Sequence, residues 1–211
     1  MRAAREAEMT NVEMSEADAL EAEIMEKAQK LAALRKAEAP VEIGDYEFET
    51  LAGRATLSAM FGGRDRMLVI HNMGQGCRYC TLWADGLNGV LPHLEDAMGV
   101  LLVSKDAPAV QRRLAQDRGW HFRMASHGGG AYMTEQCKMM GYDNCPGAAA
   151  YEMREGRIFR RGRTGFGPGD LYAPIWHLLA LAGIGQEEWT PQFHYWRRPQ
   201  KMEDGGQNLN D

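Results

Sequence analysis

The chain has 211 residues, 45% of them hydrophobic, with four cysteines and a net charge of −5, which suits one domain plus an extension. The negative charge argues against a nucleic-acid partner, no apolar stretch is as long as a membrane span, and the polar N-terminus lacks an apolar secretion signal. Because four cysteines are too few for a disulfide scaffold, the sequence favours a cytoplasmic protein without membrane association, in which close cysteines are catalytic or metal-binding.

Residues 1–39 are predicted to be an N-terminal helical arm. Ser15-Glu16-Ala17-Asp18 is a capping pattern that begins a helix running to about Ala37, and Pro40 ends the segment. Apolar side chains fall on one side of this helix: Leu20, Ile24, Leu31 and Leu34. The heptads are too few for a coiled coil, so the stripe favours packing on the main domain or on a second copy of the chain, as a homodimer through the arm.

The main domain is predicted over residues 40–196, followed by a polar tail at 197–211. Short apolar strands are expected at 46–48, 67–70, 100–103 and 120–124. Helices are expected at 56–61, from 77 with a break between 86 and 92, at 107–118 and at 170–181. Residues 146–153 and 157–160 form a hairpin around Arg154-Glu155-Gly156, whereas 131–144 has no clear pattern. Strands that alternate with helices predict an α/β fold with a mixed sheet covered on both faces.

The motif Cys77-Arg78-Tyr79-Cys80 opens a predicted helix just after a buried strand and a glycine-rich turn. Two thiols at this spacing can close a disulfide across one helical turn. At a helix start, the first thiol also faces unpaired backbone N–H groups and the positive end of the dipole, which stabilise a thiolate. We therefore expect a dithiol–disulfide centre in which Cys77 attacks and Cys80 resolves the mixed disulfide. The expected substrate is a protein or small-molecule dithiol or disulfide, and no dissociable cofactor is required.

Three polar residues near the motif are candidates for proton transfer or for tuning the thiols. His71 ends the preceding strand and is either a proton shuttle or a satisfied strand-end histidine. Arg78 adds a positive charge beside Cys77. Asp85 could accept a proton from Cys80, although helix capping is the favoured role.

A metal site is an alternative that the cysteines leave open. Zinc in structural sites takes four ligands, which could come from Cys77, Cys80, Cys145 and either Cys137 or His71. The chain has no second Cys-x-x-Cys, so the redox interpretation is preferred.

Several motifs resemble, in order, those of one bacterial family. They are His71-Asn72-Met73-Gly74, Cys80-Thr81-Leu82-Trp83-Ala84-Asp85-Gly86, Arg118-Gly119-Trp120, Phe166-Gly167-Pro168-Gly169-Asp170 and Trp176-His177-Leu178-Leu179. The family is a domain of unknown function labelled as predicted dithiol–disulfide oxidoreductases. The likeness covers roughly residues 40–196, and the order of elements is similar to the thioredoxin-like fold in its longer, peroxiredoxin-style form. The resemblance thus implies that fold and thiol–disulfide oxidoreductase activity.

The resemblance also implies a substrate groove. Thioredoxin-like proteins have a cis-proline before the hairpin that packs against the redox cysteines, and Pro146 is in the corresponding position. The residue before this proline lies near the first redox sulfur, so Cys145 could form an alternative disulfide with Cys77, share a metal with it, or simply pack. Trp83 either packs under the loop or contacts a partner in the groove.

Thiol peroxidase activity is a further alternative within the same fold. Cys77 would be the peroxidatic cysteine, and Cys80 would resolve its sulfenic acid. The Pro-x-x-x-Thr-x-x-Cys pattern of peroxiredoxins is missing, because Ile70 and Met73 stand in place of its proline and threonine. Disulfide exchange is therefore ranked above peroxide reduction.

Overall fold

The computed structural model describes residues 14–193 and residue 195. The chain divides into two compact units between Ala39 and Pro40. Residues 1–13 of the predicted arm and the predicted polar tail at 197–211 lie outside the described residues. In the part of the chain that the structure describes, no helix combines the length and the apolar character needed to cross a bilayer.

The described part of the first unit forms one helix, α1 (Glu16–Ala37), as the sequence predicts. A capping box begins it: the Ser15 hydroxyl oxygen accepts the Asp18 N–H at 3.1 Å, and the Asp18 carboxylate accepts the Ser15 N–H at 3.0 Å. Arg35 and Lys36 in the last turn complement the helix dipole. None of its residues is buried, and the packing partner of its apolar stripe stays a prediction.

The second unit is a β-sheet with helices. Its strands are β1 (Val41–Ile43), β2 (Glu47–Thr50), β3 (Gly53–Thr56), β4 (Arg66–His71), β5 (Gly99–Ser104), β6 (Met124–Ser126), β7 (Gly147–Arg154) and β8 (Arg157–Gly165). Its α-helices are α2 (Leu57–Met60), α3 (Arg78–Gly89), α4 (Leu91–Ala97), α5 (Pro108–Arg118) and α6 (Ile175–Leu181). The region without a clear sequence pattern contains a five-residue π-helix, Met133–Cys137.

The eight strands form one mixed sheet in the order β1-β8-β7-β4-β5-β6-β2-β3. Strands β4, β5 and β6 are parallel neighbours, while the remaining neighbours pair antiparallel. At the end of β4, His71 is paired with Val103 on one side and with Gly147 on the other. The loop after His71 therefore lies at the same edge of the sheet as Pro146, which immediately precedes Gly147.

The residues of β4 alternate between two hydrophobic cores, one on each face of the sheet. Met67 and Val69 belong to a core that includes α2 and Tyr132. Ile70, with Leu68 packed against it, belongs to a second core with residues of α3, α4 and α6. Helical segments therefore cover both faces, and the predicted α/β fold with a mixed sheet is confirmed.

The helix that starts at the cysteine motif is predicted to break between residues 86 and 92, and the break falls towards the end of this range. Gly86 lies inside α3, and the helix ends only at Gly89. Pro92 occupies the first turn of α4, where its missing N–H costs no hydrogen bond, but it could not continue α3.

Two predicted elements are displaced. The strand expected at 120–124 begins only at Met124, because the preceding segment buries Trp120 and Phe122 in the second core instead of joining the ladder. The helix expected at 170–181 begins only at Ile175. The Asp170 carboxylate accepts backbone N–H groups on both sides of itself and holds that segment in a turn.

Candidate functional site

The sulfur of Cys77 caps the N-terminus of α3. Cys77 has extended backbone angles, and its Sγ accepts the backbone N–H of Cys80 at 3.2 Å. The sulfur of Cys80 in turn lies 3.4 Å from the backbone nitrogen of Met73. Both cysteines are free thiols; Cys77 is half-buried, and Cys80 is only 3% exposed. Cys77 is therefore the thiol of this pair that a substrate can reach.

The surroundings move the pKa values of the two thiols apart. The pKa of Cys77 is lowered to about 7. A hydrogen bond from the Cys80 thiol makes the largest contribution, and burial acts in the opposite direction. The backbone N–H groups of Cys80 and Tyr79 lower the pKa further. The same thiol–thiol hydrogen bond, together with burial, raises the pKa of Cys80. Near neutral pH, Cys77 is partly thiolate and Cys80 is protonated, which suits a nucleophile and its resolving thiol. The Arg78 guanidinium is not among the groups that lower the pKa of Cys77.

The loop between β4 and α3 is held by two polar side chains. The Asn72 side-chain oxygen accepts the Gly74 N–H at 2.8 Å, and the Asp106 carboxylate accepts the Gln75 N–H at 2.7 Å. Gly74 has φ +119, a backbone conformation that favours glycine. A Cβ at this position would also lie only 2.8 Å from the Asp106 carboxylate oxygens, so a larger residue would displace that side chain. Asp106 is not among the residues predicted from the sequence; the signal that could have found it is its position just after β5, at the sheet edge that carries this loop.

Pro146 is connected to α3 through Phe166. The carbonyl of Pro146 accepts the Phe166 N–H at 2.7 Å, and the Phe166 ring packs against Trp83 with centroids 5.5 Å apart. Trp83 is 3% exposed and also contacts Trp176. Trp83 therefore packs beneath the motif and does not line a substrate groove. The Phe-Gly-Pro-Gly-Asp motif supplies the ring that joins Pro146 to α3.

Asp85 holds α3 in place, and the prediction that it caps a helix is wrong. It lies inside α3, where its carboxylate accepts the Trp120 indole N–H at 2.8 Å and pairs with the Arg118 guanidinium. Gly119, with φ +68, turns the chain between these two partners. The Arg-Gly-Trp motif thus ties α3 to the end of α5, and Asp85 is a positioning residue rather than a proton acceptor for Cys80.

His71 is buried in the first core, on the face of the sheet opposite α3. Its Nε2 lies 2.8 Å from the Tyr132 hydroxyl, which lies 3.1 Å from that of Tyr151. Burial, followed by the charges of His127 and Arg163, lowers the pKa of His71 to about 3. His71 is therefore neutral at physiological pH, and its described contacts are with tyrosine rather than with a thiol. Of its two predicted roles, the structure favours the strand-end histidine over the proton shuttle, but only Nε2 is satisfied: among the described residues, the buried Nδ1 has no hydrogen-bond partner.

Cys145 lies beside Cys137. The Cys145 N–H donates to the Cys137 carbonyl at 2.9 Å, and the Cys145 Sγ lies 3.3 Å from the carbonyl oxygen of Pro146. Between residues 14 and 193, no group of three or more His, Cys, Asp or Glu side chains is placed to hold a metal ion. The predicted ligand set of Cys77, Cys80, Cys145 and either Cys137 or His71 is therefore not assembled.

A cavity of about 690 Å³ lies elsewhere in the second unit. It is lined by the turn between β2 and β3, by α5 and by residues 119–124. Because no predicted site residue lines it, the cavity is not part of the thiol site.

Comparison with protein families identifies the chain. A family model described as "Bacterial protein of unknown function (DUF899)" matches residues 6–202, and the chain therefore belongs to that family. The predicted membership of a bacterial family of unknown function is confirmed, and the match extends beyond residues 40–196 on both sides. No curated protein matches the sequence.

Several solved structures are similar to this chain. Reduced Prx3 from Vibrio vulnificus, in complex with H2O2, has a TM-score of 0.50 and 13% identity over 69% of this chain and 96% of its own. Peroxidoxin BcpB from Mycobacterium tuberculosis has a TM-score of 0.47, with 14% identity over 69% and 94%. A putative thioredoxin reductase from Burkholderia cenocepacia has a TM-score of 0.49, with 15% identity over 67% and 95%. The likeness to the Vibrio protein shows the predicted thioredoxin-like, peroxiredoxin-style fold.

Proposed function

We propose that this DUF899 protein catalyses thiol–disulfide exchange, with Cys77 as the nucleophile and Cys80 as the resolving thiol. One observation carries the proposal: a half-buried sulfur at a helix N-cap accepts hydrogen bonds from backbone amides and from a second, buried thiol. Such surroundings stabilise a thiolate, which is the attacking form in disulfide exchange. A reducing compartment such as the cytoplasm would keep both thiols free between turnovers.

The first step is attack by the Cys77 thiolate on one sulfur of a substrate disulfide R–S–S–R′. A bond forms between Cys77 and the R-side sulfur, and R′–S⁻ leaves and takes up a proton. This step removes the thiolate charge and the hydrogen bond that raise the pKa of Cys80, and burial then remains as the main effect that raises it. The second thiol is therefore easier to deprotonate once the mixed disulfide has formed.

The second step is attack by the Cys80 thiolate on the Cys77 sulfur. The bond between Cys77 and the R-side sulfur breaks, R–S⁻ leaves, and the Cys77–Cys80 disulfide forms. The substrate has then gained two electrons, and another dithiol returns two electrons to the protein by the reverse exchange.

The substrate chain is proposed to bind beside Pro146. Pro146 is half-buried, precedes the strand residue that pairs with His71, and is joined to α3 through Phe166. An extended segment that lies along this edge would bring its disulfide towards Cys77.

The experiment that tests the proposal is trapping with a defined disulfide, oxidised glutathione. Cys80→Ser should accumulate one glutathione per chain on Cys77, because the mixed disulfide has no resolving thiol. While only the accessible Cys77 has reacted, the wild type should release two reduced glutathione molecules and retain an internal Cys77–Cys80 linkage. Cys137→Ser is the matched control and should behave as the wild type does. Rapid alkylation of Cys77 without any mixed disulfide in Cys80→Ser would contradict the proposal.

Peroxide reduction at the same sulfur is a second candidate, favoured by the half-exposed Cys77 thiolate with a resolving thiol in hydrogen-bond contact. The thiolate would attack one oxygen of a hydroperoxide ROOH and leave Cys77 as a sulfenic acid, while RO⁻ leaves and takes up a proton. Cys80 would then displace water and form the same disulfide. In Cys80→Ser, dimedone labelling after one equivalent of hydrogen peroxide measures this step. If Cys77 is labelled no faster than free cysteine at the same thiolate fraction, peroxide reduction is excluded and disulfide exchange remains the proposed activity.

A further inference from the structure

A second pair of cysteines lies outside the thiol site described above. Cys137 ends the π-helix and Cys145 immediately precedes Pro146; they are 0% and 1% exposed. The Cys145 N–H donates to the Cys137 carbonyl at 2.9 Å. This hydrogen bond holds the backbones of the two residues next to each other, as a disulfide requires, since its Cα atoms must lie about 4.4–6.8 Å apart.

The side chains of the second pair are also neighbours. Burial, followed by the nearby Cys145 thiol, raises the pKa of Cys137 to about 12, and burial raises the pKa of Cys145. Both sulfurs are therefore protonated and covered in the closed structure, where they react slowly. Any oxidation of this pair therefore requires a local opening of the structure around it.

Residues 138–144, which connect the two cysteines, form a small surface hairpin, and the sulfurs of Met140 and Cys145 both lie next to Gly165. Met139 and Tyr142 exchange both backbone hydrogen bonds, at 3.1 and 2.9 Å, and Lys138 pairs with Asp143 at 3.0 Å across the hairpin. The ion pair is exposed to solvent and contributes little. The turn places Met140 at φ +54, a strained backbone for a residue other than glycine. Local opening of such a hairpin costs less than global unfolding.

We propose that Cys137 and Cys145 are a second dithiol–disulfide couple, which is oxidised when the 138–144 hairpin opens and which then holds the base of that hairpin closed. The proposal goes beyond thiol exchange at Cys77 and does not depend on it. Pro146 follows Cys145 directly, so the disulfide would also fix the segment that enters β7 at the edge of the sheet bearing the Cys77 loop.

The oxidant proposed is a small-molecule disulfide, R–S–S–R. In the open hairpin, the thiolate of one cysteine attacks a sulfur of R–S–S–R, a mixed disulfide forms, and R–S⁻ leaves. The thiolate of the other cysteine then attacks the protein sulfur of that mixed disulfide, and the second R–S⁻ leaves. The two protein thiols lose two electrons, R–S–S–R gains them, and the two thiol protons pass to the two R–S⁻ products.

The test uses full-length Cys77→Ser/Cys80→Ser with excess oxidised glutathione as the probe. Differential alkylation and peptide mass spectrometry should show both remaining thiols lost together, with one product in which the peptides containing Cys137 and Cys145 are linked. The rate of oxidation should rise at urea concentrations below the unfolding transition, because opening of the hairpin limits that rate. Adding Cys145→Ser to this background is the matched control, and Cys137 should then stop at a mixed disulfide with glutathione.

Two results would overturn the proposal. One is that both thiols persist in the double variant, in native buffer and in low urea; the other is that each takes up its own glutathione without a link between them. Circular dichroism checks that the double variant is folded. Should it fail to fold, linked peptides are mapped in oxidised wild type, where a Cys77–Cys145 link in place of Cys137–Cys145 contradicts the proposal. Because the double variant lacks both proposed catalytic thiols, its result is independent of the trapping result with Cys80→Ser.

Discussion

The two cysteine pairs of this chain differ in what surrounds each sulfur. Cys77 caps a helix, and backbone amides with a neighbouring thiol lower its pKa to about 7. Cys137 is fully buried, and burial followed by its neighbouring thiol raises its pKa to about 12. Proximity of two thiols therefore permits a disulfide, whereas hydrogen-bond donors and exposure decide how fast the pair reacts.

The largest expected difference between the pairs is in turnover. Cys77→Ser should lower the rate of glutathione-disulfide reduction on the order of a thousandfold, because it removes the attacking atom. Cys145→Ser, the matched change in the second pair, should leave that rate within about twofold, as expected of a residue that does not touch the reacting atoms. Steady-state assays of the two variants make the comparison. Equal losses in both would mean that the pairs act as one unit.

The next effect concerns the first core, which buries both His71 and Cys137. The pKa of His71 is about 3 in the fold and about 6.5 in an unfolded chain. Between these values the unfolded chain binds more protons, so stability falls as pH decreases from about 6.5 towards 3. Wild type should lose about 2 kcal/mol between pH 7 and pH 5 through this residue.

His71→Gln supplies the control for this pH effect, since it keeps a polar side chain beside Tyr132 and removes the titration. Urea unfolding at pH 7 and pH 5 measures both proteins. The variant should show a smaller loss on acidification, with a remainder from His127, whose pKa is lowered to about 4, first of all by burial. An identical loss in the two proteins would exclude His71 as the source.

The smallest expected effect comes from removing one carboxylate, that of Asp106, which should slow the first cysteine pair and leave the second unchanged. Asp106→Ala removes the acceptor of the Gln75 N–H and loosens the loop that leads to Cys77, so exchange at Cys77 should slow by about tenfold. Asp106→Asn keeps an acceptor oxygen and should lose less. Oxidation of Cys137 and Cys145 should be unchanged in both variants, as followed by peptide mapping. A slowed second pair would show that the loop and the hairpin are coupled.

The first pair could be predicted from the sequence because its geometry is local. A buried strand, a glycine turn and two cysteines one helical turn apart are read from about fifteen consecutive residues, and Cys77 lies at the predicted helix start. Pro146 was placed by resemblance, and the pairing of Gly147 with His71 puts it at the expected edge.

The second pair and the positioning residues could not be predicted because their partners are distant or irregular. Residues 131–144 contain a π-helix and a short hairpin, neither of which has a clear periodic pattern, so the contact between Cys137 and Cys145 was missed. Asp85 was assigned to a cap because its partners lie more than 30 positions along the chain, at Arg118 and Trp120. Tertiary contacts of this kind override local propensity.

The most direct test of the central claim is the ultraviolet absorbance of thiolate, recorded as the pH is raised in wild type and in Cys77→Ser. Wild type should show one transition with a midpoint near pH 7, and Cys77→Ser should lack it, since burial, which the variant keeps, raises the pKa values of Cys80, Cys137 and Cys145. A first transition at the ordinary cysteine value of about 8.5, or one near pH 7 that survives in Cys77→Ser, would contradict a stabilised thiolate at Cys77.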